Sequence, residues 1–246
     1  MKKRLLALLL TAALILTLLP ATASAASVLE VGGSGSYAMD EAGLNAAISA
    51  ANDGDTIKFM AGGTITLTAN IMINKSITLD MNGHTIDIAT GAFNRVILPQ
   101  VPSVSVTIQG PGTITTGNDI FVYSGSTLTV QGGAIIEGTG SSQVVSNYGT
   151  LLMTGGALRQ TNGKYVLLNA GTATFDDVTI ETSNGSGYVI WANNGTLTLN
   201  NCKTRNNFSG TMPGPWPSAI LVANSAAVAL NDGSVTAPGG GRCLRF

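Results

Sequence analysis

The chain has 246 residues, and its 12 Lys and Arg against 13 Asp and Glu leave a net charge of -1. Only 10% of residues are charged, so it carries neither the basic face that draws nucleic acid or anionic lipid nor the charge excess of a disordered tail. Its 31 glycines and many Ser, Thr and Asn accompany a regular apolar alternation, the pattern of an ordered β protein.

In chain order, Met1-Lys2-Lys3-Arg4 is a short basic stretch, Leu5 to Leu19 is an apolar run broken by Pro20, and Ala23-Ser24-Ala25 forms an Ala-x-Ala site. That order of parts is a secretory signal peptide, so 1–25 is expected to be removed and the mature bacterial chain to be secreted or held at the cell surface. No later stretch is apolar for long enough to span a bilayer, so no membrane contact is expected after cleavage. The segment 26–54 holds Met39 to Asn52, where Leu44, Ala47, Ile48 and Ala51 fall at helical spacing. Asp40 is the expected N-cap and Asp53-Gly54 the stop, giving a short helix suited to covering one end of a repetitive domain.

From 55 to 246 the chain repeats itself. Leu79, Ile108, Val130, Met153, Phe175, Leu199 and Leu230 each end a TLTV-like phrase, with a period near 22 residues and a few longer members. Such a period is that of a solenoid whose longer repeats carry loop insertions. Each repeat holds three short runs. In the first, Leu128 and Val130, Leu151 and Met153, Ala173 and Phe175, Leu197 and Leu199, and Val228 and Leu230 share one face, as in half-buried strands. A tight turn written QGG, TGG or DD comes next. The second run places Ile135, Leu158, Ile180 and Val235 at one position of successive repeats, five residues past the end of the phrase, and the third begins near Ile120, Val144, Tyr165, Val189 and Ala219. The predicted fold is all-β: a single-stranded, right-handed parallel β-helix with three strands per turn and the short N-terminal capping helix. No cap is visible where the chain reads GGGRCLRF, so the expectation is a coil that continues into, or is closed by, a further C-terminal domain or partner.

Asn147, Asn169, Asn193 and Asn224 each come directly after a third run and are expected to stack as an amide ladder with a structural role. The stretch LNAAISAANDGDTIKFMAGGTITLTANIMINKSITLDMNGHTI, the repeated GTLTLNN-type phrases and this ladder resemble the pectate-lyase-like β-helix superfamily, and within it the secreted, adhesin-like proteins of bacterial surfaces. The resemblance covers nearly all of the mature chain and speaks to fold more than to activity, since this fold hosts lyases, hydrolases, adhesins and inert stalks.

The resemblance to polysaccharide lyases implies carboxylates holding calcium beside a basic Arg or Lys. Asp176-Asp177 is the one adjacent acidic pair, with Lys203 and Arg205 a turn later, and a stacked Asp176–Asn200 pair would hold a cation only weakly. Asp-Asp also fills the slot that Gly-Gly fills in other turns, which ordinary turn chemistry explains. The hydrolases of the superfamily carry Asn-Thr-Asp before such a pair and His-Gly after it, and neither is present. The lone histidine, His84, lies far upstream in a turn, so a Ser-His-Asp triad finds no partner for it.

Binding is better supported than catalysis. The insertion Asn206 to Ser218 carries Phe208, three prolines and Trp216, and Trp191 lies in the third run of the preceding repeat. Aligned with Val145, Leu167 and Val222, Trp191 would stand on an outward column beside that stiff loop, a platform for a sugar ring, unless the loop folds down as a lid. The threonines of TLT and TAT phrases at Thr127, Thr172 and Thr196 would form a flat array suited to ice or a crystalline polysaccharide, interrupted at Leu152 and Ala229. Cys202 is expected to be buried beside Val178 and Gly233. Secretion would permit a bridge to Cys243, though the two occupy different places in the turn. The reading is a non-catalytic binding or adhesion module for polysaccharide or another cell-surface ligand, needing no cofactor. A lyase or glycoside hydrolase, and a bare stalk, are the alternatives.

Overall fold

The computed structural model describes residues 28–32, 36–60, 63–88, 95–99, 103–163, 165–183, 188–207, 218–237 and 242–245. The segment 1–25, expected to be a signal peptide, and the loop residues Phe208 and Trp216 lie outside them. Among the described residues no helix is long and apolar enough to cross a membrane.

Short alternating strands with a turn every few residues cannot bury both faces alone, so each pairs in parallel with its copy one repeat later. The outcome is a parallel β-helix of about 8 turns, built as three stacks. The first stack runs from Val28–Val31 and Thr56–Phe59 through Thr127–Gln131, Thr150–Thr154 and Thr172–Asp176. The second includes Ile135–Gly138, Ala157–Gln160 and Thr179–Thr182. The third contains 8 strands, from Ile71–Met72 to Arg242–Arg245. In the long strands Thr196–Asn206 and Ala227–Thr236 the first and second stacks join, because pairing continues through the turn from Asn200↔Asn231 to Cys202↔Gly233.

That turn explains the DD phrase. Asp177, Asn201 and Asp232 have φ of 58°, 51° and 60°, and Gly155 takes the same place at 66°. Glycine adopts this left-handed backbone without strain, and Asp and Asn tolerate it better than other residues. Inward of it, Ala134, Val178 and Cys202 are small and buried, and a Cβ on Gly156 would sit 2.0 Å from the Ala134 carbonyl oxygen. In the first stack the expected residues from Leu79 through Phe175 to Leu199 are buried. Val228 and Leu230 of the last such strand remain partly exposed, with no described strand beyond Ala227–Thr236 to cover them.

One expectation in the second stack is corrected. Ile136, not Ile135, is the inward residue, aligned with Leu158, Ile180, Thr204 and Val235. The turn after Val130 has one residue more than the turn after Met153, and with a side-chain period of two that single residue exchanges the faces.

The helix spans Glu41–Ala50, with the Asp40 carboxylate accepting from the Gly43 amide at 2.7 Å as its N-cap. Leu44, Ala47 and Ile48 are buried against the first turns. Its ends are tied down by side chains. Lys75 Nζ donates to the Ser49 and Ala51 carbonyls, and Glu41 accepts from the Thr68 hydroxyl at 2.7 Å and the Thr68 and Ala69 amides. The Thr68 hydroxyl is the chief reason that the Glu41 carboxyl is held below the usual carboxylate range.

Both cysteines are free thiols: Cys202 is buried, donating to the Phe175 and Asn200 carbonyls at 3.4 and 3.3 Å, and Cys243 is exposed. Burial pushes the Cys202 thiol up, away from the reactive thiolate. A chromogenic disulfide reagent is therefore expected to titrate Cys243 alone in the native chain and both thiols after denaturation. A native count of zero that rises only with reductant would show that the two are bridged.

Candidate functional site

Most third-stack strands have three residues, and in Val96–Leu98, Ile120–Val122 and Ile190–Ala192 the outer two face the interior. The middle position looks outward, and strand pairing aligns Ile97, Phe121, Ser146, Leu168, Trp191 and Leu221 along the coil. Trp191 therefore shares its column with Leu168 and Leu221. Val145, Leu167 and Val222, the neighbours expected from the sequence, belong to the inward rows, and Phe121 and Leu221 belong to the outward one. These strands are apolar on both faces, so alternation gives no phase.

Around that column the aromatic side chains gather. Phe121 stacks on Tyr148 of the next turn, with ring centroids 5.2 Å apart and planes 16° apart, and Tyr123 tilts against it at 4.5 Å. Two turns further, Tyr165 meets the Trp191 ring edge-on at 5.6 Å. Both arrangements are favoured by the aromatic quadrupole. Tyr123 and Tyr148 are each 42% exposed, and Met72 at the head of the column is 55% exposed. From Phe121 to Trp191 the aromatics cover four consecutive turns, about 14 Å at the strand spacing. The Trp191 indole Nε1 is buried with no hydrogen-bond partner among the described residues.

A buried charge braces this surface. Asp119, one residue before its strand, is fully buried and lies 2.7 Å from Arg95 Nε of the preceding turn. Its other carboxylate oxygen accepts from the Ser146 hydroxyl at 2.5 Å and from Gln143 Nε2 at 3.3 Å, so one oxygen is hydrogen-bonded and the other faces the guanidinium charge. Arg95, one-third exposed, carries its guanidinium 5.7 Å from the Phe121 ring centroid, within cation–π range. Burial, then the nearby Tyr148 and Asp119, push the Tyr165 phenol up, so it remains a neutral donor. Sequence reasoning passed over Arg95 and Asp119, as well as Phe121, Tyr123, Tyr148 and Tyr165. The available signal was that Arg95 and Asp119 stand where later repeats place Val144, Val166 and Val189.

The other candidates fall elsewhere. Asp176 and Asp177 lie at the turn between the first two stacks, each accepting from an asparagine of the next turn, Asn200 and Asn201, at 2.5 Å. Asn231 donates to Asn200 at 2.8 Å, extending the first of these as a ladder. Lys203 and Arg205 are exposed on the second stack, and Arg205 pairs with Glu181 at 3.1 Å, as Arg159 does at 3.0 Å. Among the described residues no group of three or more His, Cys, Asp or Glu could hold a metal ion. The expected asparagine ladder is two separate pairs. Asn147 donates to Asn169 at 2.7 Å in the buried interior, and Asn224 donates to Asn193 at 2.6 Å near the surface. Asn169 aligns with Ala192, so Asn193 falls one residue out of register, and Asn169 caps the Gly171 and Thr196 carbonyls instead.

Compared with known proteins, the chain matches no family model, no curated protein and no solved structure.

Proposed function

We propose that the chain is a secreted cell-surface module that binds polysaccharide on the outer face of the third stack, without acting on it chemically. The observation that carries this reading is the aromatic column from Phe121 to Trp191, spread over successive turns of a rigid coil and braced by Arg95 and Asp119. Aromatic faces take the apolar faces of sugar rings, and a linear column suits a linear polymer. The Tyr165 hydroxyl and the Arg95 guanidinium supply donors at its rim. The order of basic, apolar and Ala-x-Ala segments in 1–25 supports export, and the repeat supports kinship with adhesin-like proteins of the pectate-lyase-like kind.

The test is native electrophoresis through gels cast with a panel of plant and microbial polysaccharides, stained afterwards for polymer. Retardation in at least one gel without clearing is the expected result. Trp191→Ala and Tyr148→Ala should each weaken the apparent affinity about tenfold, the loss of one aromatic anchor. Free migration in every gel, or retardation that ignores both substitutions, sinks the reading. Cleared polymer would return attention to a lyase or hydrolase and to Asp176, Asp177, Lys203 and Arg205.

A further inference from the structure

We propose that the outer face of the first stack is an ice-binding surface, separate from the aromatic column. Strand pairing draws Ser105, Thr127, Thr150, Thr172 and Thr196 into one straight rank along the coil. Two residues on in each strand, Thr107, Thr129, Thr174 and Thr198 form a second rank, broken only at Leu152. The interruption at Ala229 lies past the end of that rank, and Thr150 fills the first rank beside Leu152, so the array is wider and more continuous than single phrases imply. Neighbours within a rank are about 4.8 Å apart and the ranks about 6.6 Å apart, twice the rise per strand residue. Oxygen atoms on the prism faces of hexagonal ice also form a rectangular net, of comparable dimensions.

Three further observations point to a water lattice and away from a polymer or a protein. Between Ser105 and Thr198 neither rank contains a charged residue, whereas the outer face of the second stack alternates Glu137, Arg159, Glu181 and Arg205. Neither rank has an aromatic side chain on which a sugar could stack. Apart from a 3.4 Å contact from Thr196 to Thr172, the threonine hydroxyls of both ranks are without protein partners among the described residues and are left to order water. Each threonine adds a γ-methyl that cages water beside the hydroxyl that anchors it, and the buried strands beneath hold the spacing fixed.

The experiment tracks ice-grain growth in a frozen sucrose film containing the full chain, with thermal hysteresis and crystal shape measured alongside. Grain growth should be arrested. Thr174→Lys should raise the concentration needed for arrest about tenfold by placing a strongly hydrated ammonium in the second rank. Thr174→Tyr, which keeps strand propensity but breaks the flat face, should do likewise, and Glu137→Gln on the second stack should match the parent. Grains that coarsen as in buffer, or arrest that survives both substitutions at Thr174 with the β circular dichroism intact, would overturn the proposal.

Discussion

Phe175→Ala is expected to remove about 3–5 kcal/mol of stability, the usual cost of emptying a fully buried aromatic site. Phe175 has no exposed surface and lies in the stack between Met153 and Leu199, with only Ala173 beside it on the inward face of its own strand. The space it fills is therefore not one that a strand-mate can take over. In a solenoid each turn contacts only its neighbours, so the loss falls locally and uncouples the turns on the C-terminal side. Hydrogen exchange should speed up most from Thr172 to Thr236, while the helix-capped turns near Leu44 and Ile57 change little. Leu152→Ala, at a side chain 39% exposed on the outer face, should stay within about 0.5 kcal/mol of the parent. Urea denaturation with exchange mass spectrometry reads both. A cost below about 1 kcal/mol for Phe175→Ala would mean that the interior can collapse around the gap.

Phe175 was legible because the first strand of each repeat alternates strictly. Leu151, Met153, Ala173, Leu197 and Leu199 could be assigned inward from the same pattern, and all are buried. The helix was legible for a different reason, since Asp40 and the spacing of Leu44, Ala47 and Ile48 are local signals. Errors arose where the period lost its phase. The extra residue in the turn after Val130 hid Ile136 behind Ile135. The apolar third strands gave Trp191 the wrong neighbours and merged two asparagine pairs into one ladder. The brace was harder still. Arg95 and Asp119 are 24 positions apart, and only strand registration brings them together. A search for neighbouring carboxylates leads instead to Asp176 and Asp177, whose pairing with Asn200 and Asn201 belongs to the turn.

That brace sets the second large expected effect, in which Asp119→Ala weakens both the fold and the aromatic column. The substitution strips an acceptor from the Ser146 hydroxyl, itself fully buried, and from Gln143 Nε2, and removes the counter-charge beside Arg95. Each orphaned buried donor costs about 1–3 kcal/mol, but Arg95 is one-third exposed and can recover water, so roughly 2–3 kcal/mol in total is the reasonable expectation. Asp119→Asn keeps the volume and one acceptor oxygen but sets an amide N–H against a donor, and should cost about 1 kcal/mol. Arg95→Ala should also destabilise, because it leaves Asp119 buried without its counter-charge. The double substitution should then cost less than the two single ones together, by about 1–2 kcal/mol, since each removes the same contact. Free of Asp119, Arg95 is no longer held over Phe121, so polysaccharide retardation should fall with Asp119→Ala even though no sugar reaches that carboxylate. Additive energies across the cycle would show that Arg95 and Asp119 are neighbours rather than a brace. Retardation that survives the loss of Asp119 would leave the column standing on Tyr148, Tyr165 and Trp191 alone.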